Sequence, residues 1–137
     1  TVPEIITLAS LIEKETALSD ERKIIASVYH NRIKADMHLN CDPTLIYMLI
    51  QMGTWDGNLK VEHKVIRNRY NTYWFRGLPP VPIANPGRAS IEAALYPDST
   101  DYLYFVGMND GSARHDFSVT QRDHINKVNR YQRRGRR

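Results

Sequence analysis

The segment from residue 69 to residue 87 limits the fold more than any other part of the sequence. It contains four prolines and two glycines. Proline fixes its own backbone angle and cannot donate a main-chain hydrogen bond, so a run of this composition cannot lie inside a helix or a sheet. We therefore expect a long ordered loop, and long loops in compact domains are commonly functional.

This loop begins with aromatic and amide side chains, among them Tyr70, Asn71 and Tyr73. Flat aromatic faces suit pyranose rings, and amides supply paired donors and acceptors for hydroxyl and acetamido groups. We therefore take these three residues as candidate sugar-binding residues. Aromatic side chains can also serve only to anchor a loop to the core, and for Trp74 and Phe75 we favour that role.

The size and composition of the chain predict one domain. With 137 residues, 42% of them hydrophobic, the chain can build a single core. Cys41 is the single cysteine, which excludes a disulfide framework within the chain and a thiolate metal cluster. No apolar run approaches the ~18 residues of a membrane span. Because the sequence opens without an initiator methionine or a signal peptide, we expect a segment of a longer protein.

The net charge of +4 is concentrated at one end of the sequence. Residues 125 to 137 contain six basic residues and no acidic one, which leaves 13 basic against 15 acidic residues in the rest of the chain. A charge run after a helix is usually solvated, so we predict a domain over residues 1 to 131 and a basic tail over residues 132 to 137. Contact of this tail with an anionic polymer is the alternative.

The first predicted helix, from about residue 3 to residue 17, carries a glutamate in its apolar stripe. On helical spacing Glu13 shares a face with aliphatic residues, whereas Glu15 falls on a neighbouring face that reaches water more easily. A carboxyl set against aliphatic side chains loses hydration of its charged form, so it can hold a proton as a general acid must. We therefore predict Glu13 as the catalytic acid; the alternative is a helix end at which Glu13 extends to solvent.

Two more helices offer candidate polar residues. The second helix is expected after Ser19-Asp20-Glu21 and ends near Lys34, with Asn31 at the edge of its buried stripe; Asn31 is either a structural hydrogen-bonding residue or a ligand contact. In the third, Asp42 is the expected N-cap before Pro43, and a catalytic role is the less favoured alternative.

The remaining predicted elements are a short helical piece over 61 to 67, a helix over 88 to 95, a hairpin formed by 101 to 107 and 113 to 117, and a last helix starting at Ser118 or Thr120. Together they predict a mostly helical α+β domain with a small β-hairpin.

Several chemistries find no support in the sequence. The five histidines form no HExxH motif or other helical ligand pair, and no glycine-rich phosphate loop is present. The serines lack a GxSxG nucleophile elbow. The residues therefore indicate no metal and no cofactor.

Seven ordered blocks give the chain a family resemblance over most of its length. The blocks are LASLIEKET (8 to 16), ASVYHNR (26 to 32), DPT followed by IY (42 to 47), YNTY (70 to 73), GLPPVPIANPG (77 to 87), residues 89 to 94 and residues 102 to 106. In order and spacing they resemble the YceG-like (MltG) endolytic murein transglycosylases. The pattern departs near residues 114 to 117, where RHDF replaces a glycine-rich approach to a histidine, so the resemblance assigns His115 no role.

The resemblance implies cleavage of the β-1,4 bond between N-acetylmuramic acid and N-acetylglucosamine in nascent peptidoglycan strands. Such cleavage uses no water and leaves a 1,6-anhydromuramyl end, with Glu13 as general acid and base and a cleft reminiscent of lysozyme-like active sites. It adds Thr44 and Asn85 to the substrate-binding candidates Asn31, Asp42, Tyr70, Asn71 and Tyr73. It also implies a cell-membrane protein that is anchored by an N-terminal helix preceding this segment and that holds the domain outside the membrane. The implied binding partners are peptidoglycan strands, with peptidoglycan synthases as further candidates and no nucleic acid.

Two rival functions remain open at this stage. A hydrolytic muramidase would use the same cleft, with Asp42 as a second carboxylate that positions water or stabilises an oxocarbenium ion. A noncatalytic module would instead grip glycan strands or nucleic acid through the basic tail. A reducing muramic end in the products would indicate the first. Loss of all function on deletion of residues 132 to 137, together with no change in Glu13→Gln, would indicate the second.

Overall fold

The computed structural model describes residues 1 to 135 and shows the predicted α+β class: five α-helices, a short 3-10 helix and a two-stranded antiparallel sheet. In chain order the elements are α1 (Val2–Glu15), α2 (Arg22–Lys34), α3 (Asp42–Gln51), the 3-10 helix (Val61–Val65), α4 (Arg88–Leu95), β1 (Tyr104–Gly107), β2 (His115–Ser118) and α5 (Gln121–Gly135). No helix within this described part is long and apolar enough to cross a membrane.

Helix α1 is the central element of the core. Thr1 caps it by accepting a hydrogen bond from the Glu4 amide at 3.3 Å, and Pro3 occupies its first turn. Six consecutive residues, from Thr7 to Ile12, are buried, so this helix is covered on every side. It packs against α4, α2 and α3.

The β-hairpin and α5 form a second layer beside this core. Strands β1 and β2 pair antiparallel, with Tyr104 opposite Ser118. Helix α5 is tied to β2 by Lys127, whose ammonium donates to the Phe117 carbonyl at 2.6 Å, and by Tyr131, whose hydroxyl donates to Asp116 at 2.7 Å. The paired strands are shorter than the sequence predicted, but the hairpin itself is confirmed.

The proline-rich segment forms the predicted irregular loop, and its far end is fastened to α1. The Ile83 amide donates to the Ser10 hydroxyl at 3.1 Å, and the Gly87 amide donates to the Glu13 carboxyl at 2.6 Å. The prediction that Trp74 and Phe75 anchor this loop is wrong. These rings are 45% and 40% exposed, because the loop is held by hydrogen bonds and by Ile83 instead.

Three element boundaries differ from the sequence predictions. Helix α1 ends at Glu15, with Thr16 as an extended C-cap, which is earlier than residue 17. Helix α3 begins at Asp42 with Cys41 as its N-cap, so the prediction that Asp42 is the N-cap is wrong. Helix α5 runs to Gly135 and therefore enters the predicted basic tail, whereas Arg136 and Arg137 lie outside the described residues.

Candidate active site

A cavity of about 490 Å³ opens between the C-terminal end of α1, the start of α3, the β-hairpin and α5. It is large enough for a sugar-sized ligand and combines acidic, basic and aromatic side chains. Its lining residues are Glu15, Arg32, Leu39, Asn40, Asp42, Lys64, Tyr73, Tyr104, Phe105, Val106, Gly107, His115, Gln121, His124 and Ile125.

Glu15 is the carboxyl that the fold places at the inner wall of this cavity. It retains partial solvent contact through the opening. Tyr29 donates its hydroxyl to Oε2 at 3.3 Å, and the Cys41 thiol donates to the same oxygen at 3.8 Å. Burial, and after it the charge of Asp42, raise the pKa of Glu15 from 4.5 to about 7, although the two hydrogen bonds act to lower it.

The two donors beside Glu15 stay neutral. Burial raises the pKa of the Tyr29 hydroxyl and of the Cys41 thiol well above their usual values. A neutral donor can stabilise the carboxylate form of Glu15 without competing with it for charge. Cys41 is therefore a hydrogen-bond donor here and not a nucleophile.

Asp42 and Tyr73, both predicted as site residues, do line the cavity. The Tyr73 hydroxyl donates to Asp42 Oδ1 at 2.5 Å, and the Lys64 ammonium lies 4.9 Å from the centre of the Tyr73 ring. Burial and this hydrogen bond to Asp42 raise the pKa of Tyr73. The pair joins the first turn of α3 to the start of the proline-rich loop, on the same cavity as Glu15.

Glu13, the predicted catalytic acid, lies outside this cavity lining. Its Oε1 atom accepts the Gly87 amide at 2.6 Å, and Gly87 is the N-cap of α4. A methyl group at Gly87 would lie 3.1 Å from the same oxygen, so the two residues are in close contact. The structure thus gives Glu13 a capping role, in which it satisfies a main-chain donor at a helix start.

The other predicted site residues are mostly structural. Asn31 donates to the carbonyls of Thr100 and Tyr102 at 2.8 and 2.9 Å. Thr44 is fully buried and donates to the Cys41 carbonyl at 2.6 Å. These contacts hold turns beside the site, and neither Asn31 nor Thr44 lines the cavity.

The remaining three predictions come from the proline-rich loop. Asn71 is fully buried and donates to main-chain carbonyls, including Ile66 at 2.7 Å. Tyr70 packs its ring 5.1 Å from that of Tyr47. Asn85 is exposed and lies away from the lining. Of this loop, Tyr73 alone among the described residues lines the cavity around Glu15.

The hairpin and α5 supply residues that sequence reasoning did not place in the site. His115 is held by buried Glu21, which accepts the His115 amide at 3.0 Å on both oxygens and lies 3.1 Å from ring Nδ1. His124 stacks on Tyr104 at 5.0 Å, and burial lowers its pKa. No local sequence pattern predicts that these residues line the cavity, because strand pairing and helix docking bring them to α1 from more than 85 residues away in the chain.

Across the described residues, no group of three or more histidine, cysteine, aspartate or glutamate side chains could hold a metal ion. A carboxyl that holds a proton near neutral pH, set in a cleft with polar and aromatic walls, is the arrangement found in general acid–base enzymes.

The chain belongs to the YceG-like family, whose family model matches residues 1–130. It is 42% identical over 130 residues to the endolytic murein transglycosylase of Bacillus subtilis strain 168, covering 95% of this chain and 35% of that protein. It is 34% identical over 134 residues to the endolytic murein transglycosylase of Streptococcus pneumoniae strain D39, covering 93% of this chain and 23% of that protein.

A solved structure shows the same fold. The crystal structure of a YceG-like protein from Listeria monocytogenes superposes with a TM-score of 0.82 at 42% identity, covering 91% of this chain and 39% of that one. The chain thus spans roughly a quarter to two-fifths of the length of these relatives. The family resemblance predicted from the sequence blocks is confirmed.

Proposed function

We propose that this chain is the catalytic part of an endolytic murein transglycosylase, and that Glu15 is its general acid and base. The observation that carries the proposal is the Glu15 carboxyl, which lines the cavity with a pKa of about 7. The relatives named endolytic murein transglycosylase support the substrate class. The bond cleaved is the β-1,4 link between N-acetylmuramic acid and N-acetylglucosamine within nascent peptidoglycan strands.

The reaction needs only one carboxyl. Protonated Glu15 gives its proton to the glycosidic oxygen while the bond from that oxygen to the muramyl anomeric carbon breaks. The muramyl C6 hydroxyl then attacks the anomeric carbon and passes its proton to the Glu15 carboxylate. Glu15 ends protonated as it began, no water is consumed, and the product is a 1,6-anhydromuramyl end.

The surroundings of Glu15 suit both halves of this cycle. Burial and the charge of Asp42 raise the pKa of Glu15 and favour the protonated form before cleavage. Tyr29 and Cys41 donate to Oε2 and stabilise the carboxylate that forms as the glycosidic oxygen takes the proton. Neither donor can take over the proton transfer, because burial raises the pKa of each.

Glu15 replaces Glu13 in this proposal. Glu13 accepts the amide that starts α4 and does not line the cavity, so a substrate bound there would not meet it. The two glutamates are separated by one residue, which places them about 200° apart around a helix axis. Only the side that faces α3 and the hairpin reaches the cavity.

The setting of the parent protein is part of the same proposal. Peptidoglycan is assembled outside the cytoplasmic membrane, so the domain would act there on glycan strands, close to the synthases that make them. An N-terminal membrane helix in the parent protein would keep it at that surface.

A hydrolytic muramidase is the second candidate, because Asp42 lines the same cavity as Glu15. Glycosidases that use water place a second carboxylate across the scissile bond. In this chain Asp42 accepts the Tyr73 hydroxyl at 2.5 Å, which occupies one of its oxygens. We therefore favour a role for Asp42 in raising the pKa of Glu15.

Product analysis tests the proposal. Purified peptidoglycan strands are digested with the full-length protein that carries this chain, and the new ends are read by mass spectrometry. We expect anhydromuramyl ends, which are lighter than reducing ends by one water. Reducing muramic ends would assign the hydrolytic reaction. If no new ends arise from cleavage within the strands, the proposed endolytic activity is wrong.

A further inference from the structure

A second cavity, of about 370 Å³, continues from the one that holds Glu15. The two share five lining residues: Arg32, Asn40, Tyr73, Tyr104 and Gln121. A ligand seated beside Glu15 can therefore extend past these shared residues. The second cavity adds Asp36, Met37, His38 and Arg76, all away from the proton-transfer site.

Arg32 stands at the junction of the two cavities as a buried cation. It is only 7% exposed. Its guanidinium is fixed by donation to the carbonyls of Leu103 at 2.6 Å and His38 at 2.7 Å, and it lies 4.9 Å from the centre of the Tyr104 ring. These contacts orient the group without neutralising it, since carbonyls and a ring carry no net charge.

No carboxylate pairs with this guanidinium among the described residues. Burial lowers the pKa of Arg32, and the groups that oppose this effect are tyrosines, not acids. A buried charge without a counter-ion is costly to a fold. Such a residue is typical of a site in which an incoming anion supplies the missing charge.

Arg76 extends the positive character of the second cavity. It is exposed, and in the described part of the chain it forms no ion pair. The cavity thus holds two arginines against one acid, Asp36, whereas in the first cavity Arg32 and Lys64 face Glu15 and Asp42. An anionic group of the ligand is therefore attracted to the second cavity, where positive charge is in excess.

We propose that the second cavity binds a carboxylate carried on the 3-O substituent of a muramyl residue next to the cleavage site, with Arg32 and Arg76 as its anion-binding residues. This inference rests on the proposed function for its substrate. Muramic acid carries a lactyl group, to which a peptide stem with free carboxylates is attached. Where a stem is attached, the lactyl carboxyl forms the amide bond to it and the free carboxylates are those of the stem; where the stem is absent, the lactyl carboxylate itself is free. Strands with and without stems therefore distinguish the two sources.

The test compares Arg76→Gln with Arg67→Gln in the full-length protein. Arg67 is also exposed, loses the same charge on substitution and lines neither cavity, so it is a matched control. The substrates are soluble strands with intact stems and the same strands after chemical amidation of their carboxyls. For Arg76→Gln we expect KM to rise about three- to fivefold on intact strands with kcat unchanged, the effect of one exposed charge contact.

Amidated strands sharpen the result. Wild-type protein should bind them at least about three- to fivefold more weakly, because amidation removes the charge that Arg32 and Arg76 both meet, and Arg76→Gln should cause no further loss on them. Equal losses on both kinds of strand, or the same behaviour in Arg76→Gln and Arg67→Gln, would overturn the carboxylate site. Arg32→Lys, which keeps the charge but loses the planar fork, should weaken binding of intact strands more than of amidated ones when its thermal unfolding matches wild type.

A third strand identifies the source of the carboxylate. An amidase that removes the peptide stems leaves a free lactyl carboxylate on each muramyl residue. Retained sensitivity to Arg76→Gln would show that the cavity also accepts the lactyl carboxylate, and lost sensitivity would assign the carboxylates of the stem alone. Binding is also measured by fluorescence anisotropy in a Glu15→Gln background, so the anion site is tested even if the cleavage proposal fails.

Discussion

Two glutamates separated by one residue have opposite surroundings at the end of α1. Glu13 receives a main-chain amide at 2.6 Å from the first turn of another helix and lies outside the cavity lining. Glu15 has a phenol and a thiol as neighbours, both at longer distance, and lines the cavity. The difference shows that two carboxyls on one buried helix acquire different surroundings according to which neighbour each side of the helix meets.

Removing the proton from the cavity should give the largest effect. Glu15→Gln keeps the size and hydrogen-bonding capacity of the side chain but cannot transfer a proton, so we expect kcat to fall by at least ~10²-fold with strand binding largely kept. Release of anhydromuramyl ends, measured against time, checks this. If Glu13→Gln were the inactive variant and Glu15→Gln active, the roles given to the two residues would be reversed.

The pH dependence of cleavage should follow Glu15. Because the proton donor must be protonated and the pKa of Glu15 is about 7, kcat/KM should fall about tenfold per pH unit above that value. Asp42→Asn removes a negative charge that raises this pKa, so the falling limb should move to lower pH. Glu13→Gln should leave the limb in place. If the falling limb of the pH profile does not move in Asp42→Asn, the charge of Asp42 does not raise the pKa of Glu15.

The free energy of unfolding should also depend on pH through Glu15, and this dependence can be measured without substrate. Folding raises the pKa of Glu15 from 4.5 to about 7, so the folded state holds a proton that the unfolded chain releases. The stabilisation from Glu15 is therefore full below pH 4.5 and is lost as pH rises through about 7, a change on the order of 2 kcal/mol after allowance for its partial solvent contact. Glu15→Gln should flatten this slope, as measured by urea unfolding between pH 4.5 and pH 8.

The smallest effect is expected from Glu13, and on stability alone. Glu13→Ala leaves the Gly87 amide without its acceptor, so the free energy of unfolding should fall by about 1 kcal/mol, the usual cost of a lost cap. Glu13→Gln retains an acceptor oxygen and should cost less. Thermal unfolding of both variants checks the order, and turnover within about threefold of wild type, a minor loss beside general acid catalysis, is expected for each. Equal destabilisation by both would mean that the hydrogen bond is not the cause.

Much of the fold could be predicted from local patterns. Proline, glycine and capping signals located α4 and the long loop, and β-forming residues located the hairpin, because each of these signals acts within a few neighbouring residues. The family blocks also located the candidate site at α1, Asp42 and Tyr73. These predictions needed no knowledge of which elements meet.

The sequence pattern and the cavity favour different glutamates, Glu13 and Glu15, for a physical reason. A helical stripe identifies a buried face only when another face is solvated, but residues 7 to 12 of α1 are buried on every side. The side that meets the cavity depends on β1, β2 and α5, which dock from distant parts of the chain. Asn31, Asn71 and Thr44 do not line the cavity for a related reason: their amide and hydroxyl groups bind main-chain carbonyls of turns whose paths the sequence does not specify.

The contacts that fasten α1 and α2 to later parts of the chain also affect how this domain is made. Ser10 meets Ile83, Glu13 meets Gly87, and Ser27 meets Thr100, at separations of 73, 74 and 73 residues. Contacts of such long separation slow folding, because the intervening chain must close before they form. At synthesis rates of about 5 to 20 residues per second, the apolar helix α1 would leave the ribosome roughly 4 to 15 seconds before its α4 partner. During that interval the hydrophobic surface of α1 is exposed without its α4 partner, which favours aggregation of the unfinished chain.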